Sequence, residues 1–467
     1  MVKAKQPITF WIFLGLGLIG LGLLHYNTLL PWWMDGLLAL GLMALVMAGS
    51  LRHKWSVWGS RLLLVGLVSS LFVSQWVAEQ FFDSQKDITL VSVIALKAYP
   101  AEVLEDVYFA DALIPLTYAE DVKAGAYEHL SAIVASLTLT ETDDEVTAFA
   151  ALMAQSVDLI ILDSAAMANL EAEDPQFKSS IKILGEIRLE TEAEVIVKPV
   201  NTATTPFVVL INGRDNPTGT SADLTDTNVN TNNDINLILV VNPLTTTITM
   251  LTLPRDAYVA LACKDGAMDK LTHAGRYGTQ CTIDTIEALL GINVNYSVKL
   301  NFPGFMNVID VIGDITVDNP YAFTTYKNKV YFPQGLITLN PQDALEFVRE
   351  RKSLPGGDYQ RIRNQHEVVK GILRNLISVN SVVAYAEILD VISASVLTNL
   401  TLKDLSPLIQ KQVAQGLQWE LNTVSVTGIN QYNPTYTYQS LRLFTYVLDE
   451  ASVKAASQTL LEAQKAR

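Results

Sequence analysis

The 467-residue sequence predicts a layered α/β (α+β) fold carried behind an N-terminal helical membrane anchor. Three observations predict it. Long, nearly uncharged apolar runs fill the stretch before Asp83. Short β-branched runs then alternate with segments of helical periodicity, the signature of packed helix and sheet layers. Arginines cluster between Arg349 and Arg363 in a chain of formal net charge −15, so a local cationic site has to be explained.

The apolar runs are Thr9–Leu24, Leu29–Gly49 and Leu62–Val77. Each approaches the roughly 20 residues that a helix needs to cross a bilayer. Lys3 and Lys5 precede the first run, Arg52, Lys54 and Arg61 fill the second loop, and Tyr26–Pro31 carries no Lys or Arg. By the positive-inside rule the N-terminus and second loop are cytoplasmic, and three spans put everything beyond them outside. The expected localisation is a multi-pass protein of the plasma membrane with a large external body. Gly15, Gly17 and Gly20 fit a dinucleotide fingerprint, but they lie inside an apolar run with no preceding strand, so packing between membrane helices accounts for them. The expected domains are the anchor over 1–82, an accessory external domain over 83–198 and a catalytic domain over 199–467.

In the accessory part, Thr89–Leu96 and Val157–Leu162 read as buried strands, Ala126–Leu137 and Glu145–Gln155 as helices, and Thr140–Glu145 as a solvated acidic turn. Pro199–Pro206, rich in Thr, reads as a linker. Phe207–Ile211, Ile235–Val241 and Thr247–Leu253 read as strands, with Asn242-Pro243 turning between the last two. Thr282–Leu290 and Phe305–Ile312 read as helices stopped by Gly291 and Gly313. Val382–Val396 and Ser452–Ala463 are further helices, Thr423–Val426 a strand, and the Tyr- and Asn-rich Asn430–Tyr438 an exposed loop. Cys263 and Cys281 are the only cysteines; outside the cell they could close the Lys264–Gln280 loop, or lie too far apart to pair. No Cys-x-x-Cys or His-x-x-x-His spacing supports a zinc site.

The chemistry converges at two stretches. If Phe347–Arg351 is extended, Arg349 and Arg351 point to one side. If a helix starts near Asp358 after Gly356-Gly357, then Asp358, Arg361 and Gln365 share one face at i, i+3 and i+7. Guanidinium groups suit bidentate phosphate contacts.

Further motifs precede them in order. A strand runs into Asn212-Gly213-Arg214-Asp215, a second opens at Asp234 and ends in Asn242-Pro243, and Leu253-Pro254-Arg255-Asp256 and Asp269-Lys270-Leu271-Thr272-His273-Ala274-Gly275 follow. With the arginine cluster, this set resembles the LytR-CpsA-Psr (LCP) family of cell-envelope enzymes from about Pro206 to Leu376. Three spans, an accessory domain and then the catalytic domain look like its CpsA branch. The resemblance implies a central mixed sheet flanked by helices. It implies transfer of an anionic glycopolymer, such as capsular polysaccharide or teichoic acid, from a polyprenyl-pyrophosphate lipid to peptidoglycan through a phosphodiester, in a Gram-positive-type bacterium.

Under that resemblance, Arg255, Arg349, Arg351 and Arg361 clamp phosphates, Lys270 adds a point charge, and Gln365 orients a phosphate oxygen. Asp215 and Asp234 hold Mg²⁺ or Mn²⁺ through hard oxygen ligands, and Asp358 is the base for the acceptor hydroxyl. Asp256 reads as a partner of Arg255, His273 as a packed histidine, and Arg276 and Arg363 as peripheral. Phe302–Ile312 reads as core, or alternatively as a slot for the lipid tail. Two positions depart from the family pattern. Asn232 stands where an arginine is usual, and strand alternation points its possible substitute, Arg214, away from Asp215; Ile362 stands where a glycine often follows the helix arginine. The expected partners are the lipid-linked polysaccharide, peptidoglycan and the lipid bilayer. The acidic balance and the small cytoplasmic portion argue against nucleic acid. A pyrophosphatase side reaction fits the same site, and the competing function is a non-catalytic polyprenyl-phosphate-binding regulator or scaffold of envelope synthesis.

Overall fold

A computed structural model describes residues 88–190, 195–214, 230–355, 357–393 and 395–465. The three apolar runs and Asp215 lie outside the described residues. Among those described, no helix is long and apolar enough to cross a membrane.

The first sheet is built from β1 (Ile88–Leu96), β2 (Phe109–Pro115), β3 (Ser136–Thr142), β4 (Leu159–Asp163) and β5 (Ile181–Glu190). Helices α1 (Glu120–Ile133), α2 (Glu145–Met153) and α3 (Ser164–Glu173) follow β2, β3 and β4. The strand order is β3-β2-β4-β1-β5, with β2 parallel to both its neighbours and β1 antiparallel to β4 and β5. Both faces are covered: Val122, Ala126 and Leu130 of α1 pack on one, and Ala148, Phe149 and Leu152 of α2 on the other. The expected helix over Ala126–Leu137 stops early, because Ser136–Thr142 alternates Leu with polar residues and pairs as β3. The acidic turn is not simply solvated. Asp144 is buried and caps α2, accepting from the Thr147 amide at 2.9 Å, an interaction worth about 1 kcal/mol.

The second sheet begins with β6 (Phe207–Gly213), β7 (Ile235–Asn242) and β8 (Thr247–Leu253), close to the expected strands. A small ribbon, β9 (Tyr258–Leu261) and β10 (Ala267–Lys270), leads into the one-turn helix α4 (Leu271–Ala274) and then α5 (Thr279–Leu290). There follow β11 (Tyr296–Leu300), α6 (Phe302–Ile312), α7 (Pro341–Arg349), α8 (Asp358–Ser378), α9 (Val382–Ser393), β12 (Leu397–Thr398), α10 (Leu402–Gln415) and β13 (Glu420–Val424). The chain closes with the hairpin β14 (Gly428–Pro434) and β15 (Arg442–Leu448) and helix α11 (Glu450–Ala463). The order is β12-β11-β6-β7-β8-β13; β11–β6 and β8–β13 are parallel and the rest antiparallel, so the sheet is mixed.

Alternation sorts its two faces. Val208, Leu210, Ile238 and Val240 pack against Ile283 and Ile286 of α5 and Leu460 of α11. Phe207, Val209, Leu237 and Leu239 face Val369 and Leu373 of α8 and Leu408 of α10. Gly291 ends α5 in the left-handed conformation at φ 64°, as its place in the sequence indicates. Cys263 and Cys281 are joined in a disulfide with a Cα–Cα distance of 5.2 Å, tying the turn after β9 to α5.

Three expectations change. Phe347–Arg349 is the last turn of α7, not a strand, and the chain becomes extended only at Glu350. Five residues, Ala344 to Val348, are buried on that helix, so its apolar run serves packing rather than a ladder. Asn430–Tyr438 is not a free loop: Gly428–Pro434 pairs along its length with β15, and the Tyr432 and Phe444 rings meet at 6.0 Å. Arg276 is not peripheral; it is buried between the two sheet regions.

Candidate functional site

On the α8-facing side of the second sheet the strands and helices do not close on each other. A cavity of about 420 Å³ separates Ile211, Leu237, Leu239 and Val298 on the sheet from Phe302, Phe305, Ile372 and Leu376 on α6 and α8. The lining is apolar along its length and charged at one end. There Arg214, Asp234, Arg255, Arg349, Arg361 and Gln365 come together.

Strand ends supply one wall. Gly213 pairs with Ile235 across β6 and β7, and the Asp234 amide donates to the Gly213 carbonyl at 2.8 Å, so Arg214 and Asp234 leave the sheet side by side. Leu253, last of β8, pairs with Asn236, which brings Arg255 to the same edge. The Arg255 guanidinium ion-pairs with Asp234, and its Nε lies 3.8 Å from Asp256. Lys270 reaches Asp256 at 3.0 Å. Burial pushes the Asp256 carboxyl up, but Arg255 and Lys270 outweigh it and hold the group below its ordinary range.

Helix ends supply the other wall. Arg349 closes α7 with its guanidinium 4.2 Å above the Phe302 ring, which fixes its direction. Gly357, at φ 56°, turns the chain into α8 in a conformation that favours glycine. Arg361 and Gln365 then stand one turn apart near the α8 N-terminus, where unpaired amides and the helix dipole favour an anion. Glu350 also lines the cavity, as do Glu346 and Lys327. Burial raises the Glu350 pKa, but amide donors from Ser353, Tyr326 and Arg351 bring it below the usual carboxylate range and occupy its oxygens.

The LytR_cpsA_psr family model matches residues 168–450. The chain belongs to the LytR_cpsA_psr family. It is 37% identical over 197 residues to the polyisoprenyl-teichoic acid–peptidoglycan teichoic acid transferase TagU of Bacillus subtilis, covering 42% of this chain and 60% of that protein. It is 30% identical over 220 residues to the protein of the same name from Enterococcus faecalis, covering 45% of this chain and 72% of that protein. The match thus falls short of two thirds of the B. subtilis protein's length. Among solved structures, the crystal structure of B. subtilis TagV aligns with a TM-score of 0.47 and 26% identity, over 56% of this chain and 98% of that one.

Of the residues picked out in this LytR_cpsA_psr sequence, Asp234, Arg255, Arg349, Arg361 and Gln365 meet at the cavity's charged end. Asp358 opens α8, as its spacing indicates, and its side chain lies outside the described residues. Lys270 stands one step back, on Asp256. Arg351 is exposed and outside the cavity's lining, because Arg349 sits on a helix and the same-side geometry of a strand does not apply. His273 is a packed histidine, its Nδ1 2.6 Å from Asp269.

Arg214 is the residue the sequence reading undervalued. It is 2% exposed and lines the charged end with Asp234 and Arg255. β6 ends at Gly213, so Arg214 lies beyond the last strand residue, where the pleat no longer sets direction. The usable signal was a lone arginine just past an apolar strand, in a chain with Asn232 at the usual arginine position.

Proposed function

We propose that this cavity binds the polyprenyl pyrophosphate of a lipid-linked anionic glycopolymer, and that the chain transfers the glycopolymer to peptidoglycan. The observation that carries the reading is the amphipathic lumen, a mostly apolar cavity whose lining also includes four guanidinium groups. A polyprenyl chain gains about 0.8 kcal/mol for each buried CH₂, and a pyrophosphate at its end needs cations. The printed name of the B. subtilis relative describes transfer of a polyisoprenyl-linked teichoic acid to peptidoglycan, which fits the same donor class.

In this reading an acceptor hydroxyl attacks the phosphorus next to the sugar. A new P–O bond forms, the bond to the bridging oxygen breaks, and polyprenyl phosphate leaves with the charge. Asp358 takes the hydroxyl proton. Arg255, Arg349 and Arg361, joined by Arg214, hold the non-bridging oxygens where charge builds, and Gln365 orients one of them. Lys270, through Asp256, keeps Arg255 in place, and Arg351 awaits the polymer outside the lumen. Asp234 faces this end, and Asp215, outside the described residues, follows Arg214 directly. One or two carboxylates plus substrate phosphates are the donor set magnesium usually takes, so this pair would hold Mg²⁺ or Mn²⁺. The ion would supply charge neutralisation on the phosphate oxygens. Water in place of the hydroxyl would give a pyrophosphatase side reaction. Three N-terminal spans, an external orientation and the CpsA-like layout with its accessory domain complete the proposal, since an anchored enzyme and a lipid-linked donor meet in two dimensions.

Full-length chain given polyprenyl-pyrophosphate-linked oligosaccharide, Mg²⁺ and peptidoglycan should form a covalent phosphodiester product. Arg255→Ala and Arg361→Ala should lower its rate of formation by about 10²–10³-fold. Tight donor binding with no product from the wild type would leave the scaffold reading instead.

A further inference from the structure

The first sheet has the wiring of a ligand-binding module. Helix α1 carries the chain from β2 to β3 on one face, and α2 carries it back past β2 to β4 on the other. In open α/β sheets, the carboxyl ends of strands at such a reversal form the crevice that takes a ligand. Here that crevice holds Tyr118 after β2, Glu145 at the start of α2 and Asp163 at the end of β4. What fills it is Arg276, from the second sheet region. Its Nε and Nη2 lie 3.1 and 2.9 Å from Asp163, and its Nη1 lies 3.1 Å from both Glu145 and the Tyr438 hydroxyl. The side chain is 2% exposed and the Glu145 side chain 0%. Tyr438 also bonds Asn169, and the Ser440 amide donates to Asp144 at 2.8 Å, so the turn after β14 seals the same crevice.

Arg276 lies just beyond α4, and α4 supports the charged end of the cavity through its backbone. The Thr272 amide donates to the Arg255 carbonyl at 2.8 Å, and the Asn233 amide donates to the Thr272 carbonyl at 3.0 Å. Arg255 and the residue before Asp234, two of the three charged positions of the sheet-side wall, are thus tied by their backbones to one short helix. Gly275 allows the approach: a Cβ there would stand 2.4 Å from the Thr231 carbonyl oxygen.

We propose that Arg276 is a positioning residue: seated in the crevice of the first sheet as that crevice's ligand, it fixes α4 and thereby the Arg255–Asp234 end of the cavity. The accessory region then acts as a socket that sets the phosphate site. The effect on transfer rests on the function proposed above; the coupling itself does not. A planar guanidinium that meets two carboxylates is not replaced by a lysine ammonium.

The test uses full-length chain in detergent, as wild type, Arg276→Ala and Arg276→Lys, with and without millimolar methylguanidinium. Arg276→Ala should lower kcat/KM for the lipid-linked donor about tenfold or more through misplacement alone. It should also lose hydrogen-exchange protection at the Thr272 and Asn233 amides. Methylguanidinium should restore both, methylammonium neither, and Arg276→Lys should fall between. If Arg276→Ala cannot be purified, Asp163→Asn gives the same comparison with the guanidinium kept. A lower melting temperature with unchanged kcat/KM, and protection at Thr272 and Asn233 lowered no more than at core amides such as Leu239, would overturn the proposal and leave Arg276 as a structural lock. If the wild type shows no transfer, the transfer reading alone fails, and amide protection at Thr272 and Asn233 decides this proposal.

Discussion

Both sheet regions border a crevice lined by charged side chains, and the two crevices differ in what fills them. At the first sheet, Asp163 and Glu145 close on Arg276 from the same chain, and the site is buried and complete. At the second, arginines from strand ends and helix ends line a lumen of about 420 Å³ that no side chain fills among the described residues. The polarity is reversed as well: carboxylates receive a guanidinium in one, and guanidiniums line the other, Arg255 on Asp234 and Arg349 over the Phe302 ring. The filled crevice is closed by a side chain of the same chain, whereas the lumen has room for the ligand class proposed above. Substitutions should therefore separate the two regions by what they change.

The largest stability effect belongs to the filled crevice. Arg276→Ala strands Asp163 and Glu145 without their partner, and a loss of about 3–5 kcal/mol is expected in denaturant unfolding. In the open crevice the order inverts. Arg255→Ala should lower kcat by about 10²–10³-fold with a small change in melting temperature, since its side chain is 28% exposed and its work is on developing charge. An Arg255→Ala variant that unfolded as readily as Arg276→Ala would break the contrast.

Three smaller tests sharpen it. Reducing Cys263–Cys281, which closes a loop of sequence separation 18, should cost about 3 kcal/mol, read as the shift in denaturant midpoint with reductant. His366 on α8 bonds Thr252 of β8 at 2.8 Å, and burial, with Lys370 adding, lowers its pKa to about 4. Its neutral form is the one the fold prefers. The stability it contributes is full above the unfolded value near 6.5 and is lost as pH falls toward 4, reaching about 3 kcal/mol. His366→Gln should flatten that part of the stability–pH curve. Smallest of all, Phe302→Leu removes the ring beneath Arg349 and should weaken donor binding a few-fold, the effect of about 1 kcal/mol in a titration.

Much of this was legible in the sequence. The strands before Gly213, Asn242 and Leu253 follow from β-branched runs, and the α8 face from the i, i+3, i+7 spacing of Asp358, Arg361 and Gln365. Local patterns carry that information. What failed depends on tertiary placement. Phe347–Arg351 has an apolar pair that suits a strand, yet Asn340 caps a helix there, accepting from the Asp343 amide at 2.9 Å. Arg276 reads as a surface charge until the first sheet's carboxylates are seen around it, more than a hundred residues away in the chain. Arg214 stands one residue beyond the end of its strand, where alternation gives no direction. The Asn430–Tyr438 composition looks like a loop because a two-stranded ribbon buries little of itself, and only pairing with β15 reveals it.

The most direct test of the central claim is to map where a polyprenyl pyrophosphate lies in the full-length chain. A photoreactive analogue with its diazirine on the tail should crosslink to the apolar lining at Leu237, Val298 or Leu376. One with the diazirine beside the pyrophosphate should label α8 near Arg361 or the Arg255 turn, and Arg255→Ala should reduce both yields. Crosslinks confined to the outer surface or to the first sheet, or yields unchanged in Arg255→Ala, would contradict the account.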